Sequence, residues 1–327
     1  MTLRLASHVL IAFMLSTPIA ADAQPPVKVY RLGVLNIDSF AGPAGQAFFE
    51  RLNQIGYIEG KNLVVERRFP HSPGERWDDL AAELVALKPD VILVTICGAP
   101  LEAAMRATRT IPIVVGTCTD DMVAAGIVSS LTRPGGNITG QQKLTPELSV
   151  KRLELLKEVA PGAARIAVLW DPGYSDFAAD WKSLRDAAQV LGVTLLPIEA
   201  RGPDEWEAAF AAIADQRAEA FMTMQDANVF AHAQRLADLA ARSRLPAVFP
   251  YDRNSKTGGL MSYGVDLPEM FRHATTFIDK ILKGARPGDL PVEQPTRFQF
   301  VINLKTAKAL RVSIPQSLRL RADEVIE

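Results

Sequence analysis

The run Tyr30-Arg31-Leu32-Gly33-Val34-Leu35-Asn36 decides the architecture of this 327-residue chain, because a close counterpart follows as Arg165-Ile166-Ala167-Val168-Leu169-Trp170. Arg31 and Arg165 stand 134 residues apart, and Pro112 and Pro246 repeat that offset. Around each copy, short β-branched runs alternate with amphipathic stretches of helical length, the pattern of βα units built on a parallel sheet. The first series runs Tyr30–Asn36, Leu63–Arg67, Asp90–Thr95 and Ile111–Gly116; the second runs Arg165–Trp170, Val193–Ile198, Glu219–Met224 and Leu245–Phe249. Strands this continuously apolar belong in sheets covered by helices on both faces. The expected fold is α/β: two Rossmann-like lobes with parallel sheets.

Helix boundaries carry their own punctuation. Ser72-Pro73-Gly74-Glu75 and Thr145-Pro146-Glu147 resemble helix starts with Pro in the first turn, and Gly56, Gly192 and Gly284 sit where helices should stop. Arg133–Gly140 reads as a crossover between the lobes. The chain then continues through Leu260–Gly264, a helix near Pro268–Lys283 and Phe298–Ile302, a tail long enough to return to the first lobe and cross again. The division expected is 24–142 plus 263–292 for lobe one and 143–262 plus 293–327 for lobe two. Several crossings would make a multi-strand hinge.

Residues 1–23 read as a cleavable secretory signal. Arg4 precedes the apolar run Val9–Leu15, and Ala21-Asp22-Ala23 supplies a small-x-small cleavage site. That run is far shorter than the roughly 20 apolar residues of a membrane span. A periplasmic, soluble mature chain is expected, without membrane insertion. With 36 Lys+Arg against 37 Asp+Glu, the formal charge is -1, which leaves no bulk electrostatic reason to seek nucleic acid. A monomer is expected.

In open parallel sheets, ligands sit beyond the carboxyl ends of the strands. Two such edges facing each other form a closable cleft. Its expected lining is Asn36, Ser39, Cys97, Gly98 and Thr117 from lobe one, with Asp171 and Asp226 from lobe two and Tyr263 from a crossing. Helix N–H groups with the Ser39 or Thr117 hydroxyl suit a carboxylate. Asp171 or Asp226 could hold an ammonium, although Asp226 also stands where an N-cap belongs. Trp170 or Tyr263 could stack on an apolar group, with core packing the rival use of Trp170.

No nucleophile–base–orienter set emerges, and no G-x-G-x-x-G, P-loop or G-x-S-x-G. His71, His232 and His273 lack mutual metal-ligand spacing. No cofactor and no metal are expected. Cys97 and Cys118 follow neighbouring strands at equivalent heights, so a disulfide is within reach, with buried reduced thiols the alternative. A reactive Cys97 at a helix start would instead suit a hydrolase.

Across essentially all of the chain beyond residue 23, the pattern resembles the ABC-transporter substrate-binding proteins whose better-understood relatives bind aromatic amino acids such as tryptophan. The matching segments are Gly56–Asn62, Thr110–Val114, Arg133–Gly140, Lys151–Lys157, Gly259–Gly264, Ile281–Gly284 and Val301–Lys305. The resemblance implies a type 1 periplasmic binding fold, no cofactor, a small-molecule ligand and an ABC permease in the inner membrane as partner. Relatives carry a Thr-Asp-Asn triplet after the third strand of lobe two; here the stretch is Gln225-Asp226-Ala227-Asn228, so Asp226 carries over. A binding module addressing a sensor kinase, or a thiol- or acid/base-dependent hydrolase of similar fold, are the alternatives.

Overall fold

A strand that is apolar on both faces needs helices above and below it, and the computed structural model supplies them. It describes residues 28–71, 75–143, 145–173 and 177–327. The secretory-signal reading and most of the Ser72–Glu75 helix start lie outside those residues.

The first half runs β1 (Tyr30–Leu35), α1 (Pro43–Gln54), β2 (Leu63–Arg68), α2 (Trp77–Ala86), β3 (Val91–Ile96), α3 (Ala99–Ala107), β4 (Ile113–Cys118) and β5 (Ile138–Gln142). The second continues with α4 (Thr145–Val159), β6 (Arg165–Trp170), α5 (Phe177–Leu191), β7 (Thr194–Glu199), α6 (Trp206–Asp215), β8 (Ala220–Thr223), α7 (Ala227–Ala231) and α8 (Ala233–Arg242). Then come β9 (Ala247–Phe249), α9 (Asp252–Lys256), β10 (Met261–Val265), α10 (Leu267–Leu282), β11 (Phe298–Asn303), α11 (Leu304–Leu310), α12 (Gln316–Arg321) and β12 (Glu324–Ile326).

These strands form two sheets, one ordered β2-β1-β3-β4-β5 and the other β12-β11-β10-β9-β8-β6-β7. Every pairing in the first is parallel, and in the second only β10–β11 is antiparallel. The doubly wound α/β architecture read from the sequence is therefore the observed one. In each sheet the order reverses beside the first strand of its series, the crevice geometry that favours ligands at strand carboxyl ends.

Core packing follows the strand pattern. Leu32, Val34, Leu93 and Val114 pack under α1 and α10, while Leu35, Ile92, Val94, Ile113 and Val115 pack under α2 and α3. The α10 stripe Met270, Phe271, Ala274, Phe277, Ile278 and Ile281 recurs at three- and four-residue spacing and is buried. Asp266 caps this helix by accepting from the Glu269 N–H at 3.0 Å. Gly192 and Gly284 follow helix ends with φ of +66° and +102°, the left-handed stop that a side chain disfavours.

The chain passes between the sheets three times: from β5 to α4, from β10 to α10, and again before β11. After α10 it returns along β5, where the Glu293 N–H donates to the Gly140 carbonyl at 2.9 Å. One boundary differs from the expectation. Tyr263 and Gly264, assigned to lobe one, lie in β10, which is bonded to β9 and β11 of the second sheet. The return to the first lobe begins only at α10, because the apolar stripe that fits the first sheet starts there.

Candidate functional site

A cavity of about 880 Å³ opens where the carboxyl ends of both sheets face each other. Six of the sequence-nominated residues line it: Asn36, Cys97, Gly98, Thr117, Asp171 and Asp226. Lobe one supplies a finished wall. Asn36, at the end of β1, accepts from the Thr95 hydroxyl and donates to Asp38 Oδ1 at 2.7 Å. The same Asp38 oxygen accepts from the Phe40 N–H at 2.7 Å. That turn holds Phe40 at φ +55°, with its ring 4.9 Å from the Phe271 ring. A side chain at Gly45 would meet the Phe40 carbonyl at 1.7 Å, so only glycine lets α1 start against this turn.

Cys97 and Cys118 are joined by a disulfide, with Cα atoms 4.9 Å apart. Both follow or end adjacent parallel strands, which brings their Cβ atoms into bridging range. The bond consumes the Cys97 thiol on which the thiol-dependent form of the hydrolase alternative rested. Cys97, Cys118 and Asp120 lie within metal-ligating reach of one another, but the two sulfurs are bonded together.

Lobe two supplies a charged and less complete wall. Asp226 caps α7 by accepting from the Val229 N–H at 2.9 Å, so the capping role read from sequence is real, and the residue still faces the cavity. Burial pushes its carboxyl up to about 6 against the pull of backbone hydrogen bonds, and the nearby Asp171 charge adds to the rise. Asp171 accepts from the Gly173 N–H at 2.8 Å and from Asn228 Nδ2 at 3.5 Å. Tyr251 is buried, and its hydroxyl donates to the Asp226 carbonyl at 3.3 Å. Gln225, 1 % exposed, sits beside the Tyr251 hydroxyl, and its side-chain amide has no other hydrogen-bond partner among the described residues.

Lys143 leaves the end of β5 and reaches the same cavity. It is 5 % exposed, and its ammonium sits 5.7 Å from the Tyr251 ring centroid. Desolvation, with the Arg152 charge nearby, depresses it to about 7. At the mouth, the exposed Arg253 lies over the Phe230 ring at 5.4 Å.

The cleft between the two sheets is aromatic and carries both signs of charge. Residues 42–326 match the family model described as ABC transporter substrate binding protein. The chain belongs to that family. A tyrosine-binding protein from Clostridioides difficile (strain R20291) is 26% identical over 283 residues, which cover 86% of this chain and 79% of that protein. Among solved structures, a conserved domain protein from Vibrio cholerae is 27% identical with a TM-score of 0.83, covering 91% of this chain and 100% of that one. An ABC domain in complex with L-Trp from Streptococcus pneumonia has the same TM-score and coverages at 22% identity.

In this substrate-binding protein, two nominated residues stand off the cavity. Ser39 is exposed at the apex of the turn that Asp38 closes and does not line the cavity. The Tyr263 ring stacks on Phe298 at 6.1 Å and meets Phe300 edge-on, because successive side chains of β10 alternate between faces. Trp170 packs into the core of lobe two. Among the lining residues that sequence reasoning missed are Phe40, Lys143, Phe230, Arg253 and Phe271. Phe271 was legible as part of an amphipathic helix, but not as the member of its stripe that reaches the cavity. Lys143 had no periodic signal, since it follows the polar pair Gln141-Gln142.

Proposed function

We propose that this protein is an exported receptor for an amino acid with an aromatic side chain, held in the cleft and passed to the permease of an ABC importer. Its site lies in the periplasm, after removal of residues 1–23. The lobes close on the solute by bending at the three crossings, and the receptor binds without turnover, as a monomer. The observation that carries the reading is the pairing of Asp226 and Lys143 in one cavity with the rings of Phe40, Phe271 and Tyr251. Asp226, with Asp171 behind it, suits an ammonium; the rings suit a flat apolar group, worth about 0.5–1.5 kcal/mol beyond area burial. The tyrosine-binding relative and the L-Trp complex supply the same solute chemistry from outside.

Thermal unfolding with L-tyrosine, L-tryptophan and L-leucine tests it. A solute present at 100 times its Kd stabilises by about 2.7 kcal/mol, and only the aromatic pair should do so. Asp226→Asn keeps a capping side chain but removes the charge; it should weaken binding of the same amino acid about 100-fold, or roughly 2.7 kcal/mol. Equal stabilisation by L-leucine, or unchanged affinity in the variant, would refute the assignment. Small-angle scattering should show contraction when the solute is added.

A further inference from the structure

We propose that Lys143 and the side-chain amide of Gln225 form a carboxylate subsite on the inner wall of the cleft, so that an accepted solute must carry a carboxylate. The inference deepens the receptor reading and rests on the cavity being the solute site. Geometry places both groups at one spot: Lys143 lies over the Tyr251 ring, and Gln225 lies beside the Tyr251 hydroxyl. Both side chains are more than nine-tenths buried and line the cavity. The lysine ammonium has no hydrogen bond or ion pair among the described residues, its contact being the Tyr251 ring. Beyond the Tyr251 hydroxyl the glutamine amide has no partner there, which leaves an N–H and its oxygen unmet.

Buried charges in folded proteins are paired, and buried amides are hydrogen-bonded. Here the missing partner is an anion with acceptor oxygens, and the open side is the cavity. A carboxylate accepts from Lys143 and from Gln225 Nε2 together, in the charge-assisted geometry that makes such bonds strong. The Ser39 and Thr117 hydroxyls, read from sequence as the carboxylate's hold, compete poorly: Ser39 is off the cavity and Thr117 carries no charge.

A carboxylate beside Lys143 also changes its protonation. Arg152 of α4 is the charge that acts on the lysine and the Tyr251 ring lies beneath it; the other charged groups lining the cavity are Asp38, Asp120, Asp171, Asp226, Asp252, Arg253, Lys256, Asp266 and Arg272. The empty lysine sits near 7, so at pH 8 it is mostly neutral. Filling the subsite raises it, and close to one proton is taken up. Asp226, near 6 when empty, is already ionised at pH 8 and contributes little there; near pH 5 an ammonium on it releases a proton instead. Proton exchange on binding therefore reverses sign between pH 5 and pH 8.

Calorimetry on the purified protein decides the point with two pairs of probes. These are L-tyrosine against L-tyrosinamide, and 3-(4-hydroxyphenyl)propanoate against its amide. In the wild type each acid should bind about 30-fold tighter than its amide. Lys143→Met should shrink that preference to about 3-fold or less. At pH 8, titrations in buffers of different ionisation enthalpy should show proton uptake in the wild type and none in the variant. Lys143→Arg should keep the preference but lose the uptake, because arginine stays charged. The unliganded methionine variant should melt no lower than wild type at pH 8, which guards against a folding defect. Acids and amides binding alike, an acid preference that survives Lys143→Met, or a wild type that binds neither acid overturns the subsite. Binding of the propanoate through Lys143 without binding of L-tyrosine overturns only the amino-acid reading; equal binding of L-tyrosine and its amide overturns only the subsite.

Discussion

The two lobes repeat one βα grammar, yet they end their polar groups differently. In lobe one, Asn36, Thr95 and Asp38 satisfy one another, and Gln141 donates to the carbonyls of Gly116 (3.0 Å) and Met270 (2.8 Å). In lobe two, Thr223, Gln225, Asn254, Ser255 and Ser262 each keep a buried polar atom without a partner; no residue of lobe one does so among the described residues. Each such group costs about 1–3 kcal/mol relative to a satisfied one. Only Gln225 of the five lines the cavity, so it is the one whose cost a solute can relieve. Lobe one is a finished wall, closed by its disulfide, and lobe two is a wall that waits for a guest.

The largest expected effect is on the pH dependence of stability, which should trace to the lobe-two wall alone. Lys143 is depressed in the folded state to about 7, below its unfolded value near 10.4. Between those values the unfolded chain binds more protons, so the lysine's contribution is full above about pH 10 and is lost as pH falls toward 7. Asp226 is raised to about 6, above its unfolded value near 3.9, so its contribution is full below about pH 4 and is lost as pH rises to 6. The empty receptor therefore carries both costs between pH 6 and 7, together a few kcal/mol. Chemical denaturation across pH 4 to 9 should show a dip there. Lys143→Met should remove its alkaline limb and Asp226→Asn its acid limb. A dip that persists in both variants would mean that the asymmetry between the lobes lies elsewhere.

Removing the disulfide is the next largest effect, and it acts on lobe one. Cys97 and Cys118 are 21 residues apart, and opening a loop of that length costs about 3 kcal/mol in the chain-entropy account. The Cys97→Ser/Cys118→Ser double variant, or wild type with reductant, should unfold at a lower denaturant concentration. Trp170, Trp181 and Trp206 lie in lobe two and only Trp77 in lobe one, so tryptophan fluorescence reports mainly on lobe two. If circular dichroism reports the loss at lower denaturant than fluorescence does, the lobes unfold separately. Coincident shifts would show that the crossings couple them into one unit.

The same contrast explains what the sequence could and could not disclose. Strands such as Val91–Ile96 were legible because unbroken apolar runs have few other uses, and the cleft loops followed from where those strands end. The candidate pair Cys97 and Cys118 was visible for the same reason. The buried polar elements were not legible. Gln141, Gln142 and Lys143 carry no burial signal in the sequence because their burial comes from α10, β4 and the crossing, contacts far off in sequence. Phe40 was hidden by its left-handed backbone, which depends on Asp38 and the tight start of α1. Within β10, a single step along the strand moves a side chain to the opposite face of the sheet, and composition does not say which face Tyr263 takes.

Tyr263 supplies the smallest expected effect and the sharpest boundary for the lobe-two wall. Its ring is clamped between Phe298 and Phe300, and its polar link, the bond from Arg152 Nη1 at 3.3 Å, uses the backbone carbonyl. Tyr263→Phe keeps the ring, the stacking and that carbonyl. Stability should stay within about 0.5 kcal/mol, and the Kd for L-tyrosine should not move. Tyr251→Phe is the paired case, because Tyr251 lines the cavity and touches both Asp226 and Lys143. It removes a hydrogen bond worth about 1 kcal/mol, so affinity should fall about 5-fold. If calorimetry instead found Tyr263→Phe the more damaging of the two, the solute would reach past Tyr251 toward β10 and the wall would extend deeper into lobe two than the cavity lining indicates.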